Sequence, residues 1–160
     1  MSARFLETHF LTISCYLKKN LLQSGRAASL LVDVLLHYRE QQKYKLHEFV
    51  IMPNHAHILL SPLITIERSV QLIKGGFSFR ANNELSSRGS VWQPSYWSRR
   101  VRDSEEYNAF RKYTHMNPVR KHLIESPQSW PFSSATGDWQ LDSPPARFHV
   151  HQDCFGSAEL

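Results

Sequence analysis

The stretch KLHEFVIMPNHAHILL, residues 45–60, limits the fold more than any other part of the chain. Two apolar runs of strand length, 45–51 and 55–60, flank the turn signal Pro53-Asn54, so an antiparallel hairpin is predicted at the centre of the sequence. A lone hairpin is only marginally stable in water, so neighbouring segments must cover it. Upstream, residues 5–16 (FLETHFLTISCY) alternate apolar and polar positions as a half-buried strand does. Between them, Leu30, Leu31, Val34, Leu35 and Tyr38 recur at three- and four-residue spacing, which predicts a helix over 26–42 opened near Ser24 and Gly25.

Downstream, Ile66, Val70, Ile73 and Phe77 give a second helical pattern within 65–85, with Gly75-Gly76 expected to weaken or bend it. Residues 91–101 read as an irregular strand restricted by Pro94. A third helix is predicted over 103–117, capped by Asp103 or Ser104, acidic in its first turn and stopped by Pro118. A short helix or loop to Ile124 and the segment WPFSSA follow. Residues 138–160, with Pro144-Pro145, read as a poorly ordered tail beyond a single domain spanning 1–137. The order βαββαβα fits an α+β, ferredoxin-like sandwich, an antiparallel sheet with helices packed on one face and the other face left for chemistry.

Composition narrows the function classes. At 160 residues and 41% hydrophobic content the chain suits one core. A formal charge of +5 favours polyanionic partners. Cys15 and Cys154 form no CxxC pair, which argues against a disulfide framework or thiolate metal site and fits a reducing compartment. No run approaches a membrane span, so a soluble, cytoplasmic protein is expected.

The candidate chemistry lies in two places. On a strand, the period of two sends His55 and His57 to one face and Ala56 to the other, where two neutral imidazoles can converge on a metal ion or stand as satisfied polar groups. Two ligands do not complete a site. On the third helix, Tyr113 and Asn117 are four residues apart and share a face, setting a phenol beside an amide oxygen. Tyr113 is either a nucleophile or a packing residue, and Asn117 either a ligand or the cap before Pro118. His115 lies well round the helix and is a minor candidate for proton transfer or phosphate contact. A second His-x-His, His149 and His151, sits in the tail without an apolar run to hold it.

Together, MPNHAHILL, LIKGGFSFR, VWQPSYW, YTHMNPVR and WPFSSA, in this order, resemble the single-tyrosine HUH transposases, and most of all the REP-associated tyrosine transposases, over residues 5–137. The resemblance implies a ferredoxin-like fold and a divalent metal, Mg or Mn, held by His55, His57 and Asn117. It also implies Tyr113 as the catalytic nucleophile, which cleaves and rejoins single-stranded DNA at palindromic repeats through a 5′-phosphotyrosine. Ala56 departs from the bulky apolar residue usual in the family. The implied partner is single-stranded or hairpin DNA. Monomers are expected over the helix-exchanged dimers of other members.

Basic and aromatic residues around the motifs supply DNA-binding candidates: Lys74 and Arg80 in the glycine segment, Trp92 and Trp97 for stacking on bases, and Arg99, Arg100 and Arg120 for phosphates. Two alternatives stay open: a catalytically silent hairpin-binding module, and a metal-dependent phosphodiesterase that uses water in place of Tyr113.

Overall fold

A computed structural model of the chain describes residues 6–148; His149 and His151 lie outside them. Strand β1 (His9–Ser14) is followed by helix α1 (Gly25–Glu40), the hairpin β2 (Tyr44–Ile51) and β3 (His55–Pro62), helix α2 (Ile66–Glu84), strand β4 (Trp97–Arg100) and helix α3 (Ser104–Arg120). The sheet order is β2-β3-β1-β4, and every neighbouring pair is antiparallel. Each crossover helix thus joins strands separated by one other strand, the paired split βαβ units of a ferredoxin-like sandwich.

Alternation along the strands divides the sheet into two faces. Leu11, Ile13, Phe49, Ile51, Ala56, Ile58 and Leu60 pack with α1 and α2 in the main core, so Ala56 is fully buried beneath the histidines. Phe10 and Leu59 turn the other way and pack with Tyr107 of α3. The first two helices therefore share one face, while α3 lies across the other. A bulge in β2 between Leu46 and Glu48 turns both His47 and Glu48 toward α3.

Helix α1 starts where expected, with Ser24 Oγ accepting from Ala27 N–H at 3.1 Å. Helix α2 runs through both glycines without a break. A Cβ on Gly76 would stand 3.0 Å from the Tyr38 ring, so that glycine lets α1 and α2 approach closely. Of the expected 91–101 strand, 97–100 forms a ladder with β1, while residues 92–93 meet the end of β1 separately, Gln93 N–H donating to the Ser14 carbonyl at 2.9 Å.

Two expectations are corrected. Helix α3 does not stop at Pro118 but continues to Arg120, because the proline falls in the last turn and Lys121 N–H still reaches the Asn117 carbonyl at 3.1 Å. Asn117 is consequently inside the helix and does not cap it. Residues 138–148, expected to be poorly ordered, are docked. Asp142 accepts from Leu46 N–H at 2.9 Å, donates its own N–H to the Leu46 carbonyl at 2.8 Å, and pairs with Arg39 at 2.9 Å. Phe148 then stacks on Tyr107 at 5.5 Å on the α3 side.

Candidate active site

The site forms where β1, β3 and α3 meet. The register sets Thr12 opposite His57 and Ser14 opposite His55, and the histidines share the α3 face as their spacing predicts. Their rings lie 4.8 Å apart. Asn54 Nδ2 donates to the Lys18 carbonyl at 3.4 Å, which turns its Oδ1 to His55 Nδ1 at 2.7 Å. An amide oxygen only accepts, so Nδ1 carries the proton and Nε2 keeps a lone pair. His57 Nδ1 meets the Thr12 hydroxyl at 2.9 Å. Partners of this kind fix an imidazole's orientation and leave the other nitrogen to bind.

Both histidines are held neutral. Burial lowers the pKa of His57 to about 3, helped by the nearby His55 and Lys121. Burial and then Lys121 lower that of His55, partly opposed by the nearby Asn117 amide, with which it makes no hydrogen bond within normal distance. Neutral imidazole is the form that ligates a metal.

Two buried polar atoms near this point have no hydrogen-bond partner, His57 Nε2 and Asn117 Oδ1. An unsatisfied buried polar atom costs roughly 1–3 kcal/mol, so the pair calls for a ligand. Among the described residues no three His, Cys, Asp or Glu side chains cluster around a metal position. The donor set on offer is two imidazoles and one amide oxygen, and it fits a divalent cation.

Helix α3 brings the phenol to this point. The Tyr113 ring lies 5.2 Å from the His57 ring and 6.0 Å from that of Phe10, and the residue remains 37% exposed. The Arg120 guanidinium sits 4.9 Å from the Tyr113 ring centroid. The arrangement sets an accessible phenol beside an unpartnered buried histidine nitrogen, with a guanidinium over the phenol ring. A phenol so placed is chemically able to attack a phosphodiester.

The family model described as "Transposase IS200 like" matches residues 3–117, a span that includes both histidines, Tyr113 and Asn117. The chain belongs to the IS200-like transposase family. A Haemophilus influenzae protein described provisionally as a REP-associated tyrosine transposase is 23% identical over 139 residues, covering 75% of this chain and 79% of that one. The REP-associated tyrosine transposase of Escherichia coli K12 is 20% identical over 135 residues, covering 79% of this chain and 75% of that one. A solved REP-associated tyrosine transposase bound to a REP hairpin shares the fold. Its TM-score is 0.69 at 18% identity, with 94% of this chain and 97% of that one covered.

This transposase-family site gathers only some of the expected DNA-contacting residues. Trp97 and Arg99, two apart on β4, face the site: Trp97 is 51% exposed and touches Phe10, and the Arg99 guanidinium lies 6.0 Å from the Phe110 ring while pairing with Glu106 at 3.3 Å. Arg120 joins them over Tyr113. Arg100 alternates to the opposite face and pairs with Glu7 at 3.2 Å. Lys74 and Arg80 sit on α2, also across the sheet. The Lys74 ammonium donates to the Gln93 and Ser95 carbonyls at 2.7 and 3.0 Å, and Arg80 pairs with Glu84 at 2.7 Å. Trp92 is corrected from a stacking platform to a core residue: its ring packs on Phe77 at 5.4 Å and its indole N–H donates to the Lys74 carbonyl.

His115 is likewise not at the phenol. Its Nε2 meets Glu48 Oε2 at 2.7 Å on the other side of α3, where Arg111 and Ser134 donate to the same carboxylate. Hydrogen bonds from His115 and Ser134 overcome the upward push of burial and hold the Glu48 carboxyl below its ordinary pKa. Sequence reasoning singled out neither Glu48, Thr12 nor Phe10. A charged residue inside the apolar run KLHEFVI was the available signal for the first, and alternation along β1 for the other two.

Among the described residues no helix is long and apolar enough to cross a membrane.

Proposed function

We propose that this family member is a metal-dependent DNA transposase that cleaves and rejoins single-stranded DNA at hairpin-forming palindromic repeats, with Tyr113 as nucleophile. The observation that carries the reading is the accessible Tyr113 ring 5.2 Å from a histidine whose buried Nε2 has no partner. The named relatives, and the hairpin held by the solved one, support the choice of substrate.

In this reading Tyr113 Oη gives up its proton and forms a bond to phosphorus. The bond from phosphorus to the 3′ oxygen breaks, leaving a 3′-hydroxyl and a 5′-phosphotyrosine. Because one phosphodiester replaces another, the reverse attack by a 3′-hydroxyl can rejoin strands without ATP. His55, His57 and Asn117 hold Mg or Mn, which when bound supplies Lewis-acid charge at the phosphate. Thr12 and Asn54 orient the two imidazoles, and Arg120 adds positive charge over Tyr113. The proposed acting form is a monomer, with Tyr113 and both histidines drawn from one chain.

The test is to incubate the protein with Mn and labelled hairpin oligonucleotides carrying single-stranded flanks, then separate the products under denaturing conditions beside Tyr113→Phe. A covalent adduct that vanishes in the variant supports the reading. Binding without adduct points to a silent recognition module, and cleavage that persists in the variant points to attack by water.

A further inference from the structure

Beside Tyr113 opens a cavity of about 450 Å³ lined by Phe10, Thr12, His57, Trp97, Phe110 and Tyr113. Its floor is aromatic. The Phe10 ring is stacked between His57, 5.3 Å away and tilted 16°, and Phe110, 4.3 Å away and tilted 14°. Trp97 and Tyr113 stand on that ring at 78° and 87° and rise to the surface. Half of Trp97 is exposed on a short edge strand, where a solvated position would ordinarily carry a polar residue.

We propose that this cavity receives one unpaired nucleobase of the DNA strand, the base adjoining the phosphate that Tyr113 attacks, stacked against Trp97. The inference rests on the function proposed above. Three features select a base over another apolar group. The cavity shares His57 and Tyr113 with the reaction site, so its occupant must adjoin the reacting phosphate. Its two sides carry guanidiniums, Arg120 by Tyr113 and Arg99 by Phe110; Arg99 also pairs with the Glu106 carboxylate at 3.3 Å, so Arg120 is the cation placed for a phosphate next to a buried base. An apolar slot beside such a cation suits an aromatic group on a polyanionic backbone better than it suits a peptide side chain.

The lining also determines how the base is held. Its polar groups are the Thr12 hydroxyl, engaged with His57 Nδ1, the His57 Nε2 and Tyr113 hydroxyl that the proposed reaction uses, and the Trp97 indole N–H. Little remains to read the edge of a base, so the slot tests for the presence of a base and not for its identity, as stacking platforms do.

The experiment measures equilibrium binding of the full chain, by fluorescence anisotropy, to hairpin oligonucleotides whose single-stranded flank carries an abasic site moved one position at a time. Trp97→Ala and Trp97→Phe are measured on the same series. At one position the abasic site is expected to weaken binding about tenfold in the unaltered chain and in Trp97→Phe, and to have no added effect in Trp97→Ala. Exchanging the base there should change affinity less than about threefold. An abasic effect equal in the chain and in Trp97→Ala at every position overturns the inference, and so does a loss in Trp97→Ala that is uniform across all oligonucleotides. Thermal unfolding of Trp97→Ala guards against a folding defect, with Trp97→Phe as the second variant. A base-dependent loss without any covalent adduct leaves the slot standing and removes the role of Tyr113. An adduct without a sensitive position does the reverse.

Discussion

Replacing Glu48 by Gln tests whether α3 is fastened to the sheet as its contacts suggest. The carboxylate comes from the buried side of β2 and takes bonds from Arg111 and His115, one turn apart on α3, and from Ser134. Gln keeps the volume and one acceptor but loses the charge. Bonds to charged groups contribute roughly 1.5–3 kcal/mol against 0.5–1.5 for neutral ones, so weakening the two buried bonds costs about 2 kcal/mol. Arg111 is 53% exposed and can turn to water, which adds only a few tenths. For a chain of this size that corresponds to a fall in Tm of roughly 4–8 °C.

The pH dependence is a second signature of the same contacts. The folded pKa of Glu48 lies below its ordinary 4.5, so its contribution is present above the unfolded value and is lost as pH falls through the folded one. The gap between the original chain and Glu48→Gln, followed by circular dichroism on heating, is therefore expected to be full at neutral pH and to narrow in acid below that value. A gap under about 2 °C at neutral pH, or one that stays constant into acid, would refute the argument.

His57 gives the protein an acid sensitivity of its own. Its folded pKa of about 3 lies under the ordinary 6.5, so the unfolded chain binds the proton first and stability falls as pH drops below 6.5. Denaturant midpoints should show about 2 kcal/mol lost to this group between pH 7 and 5, absent in His57→Gln; equal losses in both proteins would exclude the histidine as the cause. The two adjacent glycines of α2 should respond with opposite signs. Gly75→Ala meets nothing within 4 Å and is expected to raise Tm through helix propensity, whereas Gly76→Ala drives a methyl against Tyr38 and is expected to lower it; melting curves of the same sign would contradict the close-approach account. Truncation after residue 137 removes Asp142 from Leu46 and Arg39 and should lower the denaturant midpoint, whereas an unchanged midpoint would mean that the docked segment contributes nothing.

Local periodicity made much of this molecule legible. The hairpin around Pro53-Asn54, the shared face of His55 and His57, and the four-residue step from Tyr113 to Asn117 depend only on strand and helix geometry. The path of 138–148 was not legible, because its bonds to Leu46 and Arg39 span about a hundred residues and the segment itself is polar and proline-containing. Nearness in sequence also misled for Lys74, Arg80 and Trp92, since a short motif does not say which side of a sheet its residues occupy. Charge counting could not separate Arg111, committed to Glu48, from Arg120, set over Tyr113.

A four-stranded sheet has two open edges, and each is a template on which another chain can add a strand. At one of them Asp142 takes both main-chain groups of Leu46, so an incoming strand on β2 would have to displace a segment already bonded there. The other edge, β4, is only four residues long and carries Arg99 and Arg100, too short and too charged to invite a neighbour. With both edges guarded, self-association by continuing the sheet is discouraged. Concentrated solutions of the intact protein should accordingly resist β-aggregation better than a form cut short before Asp142.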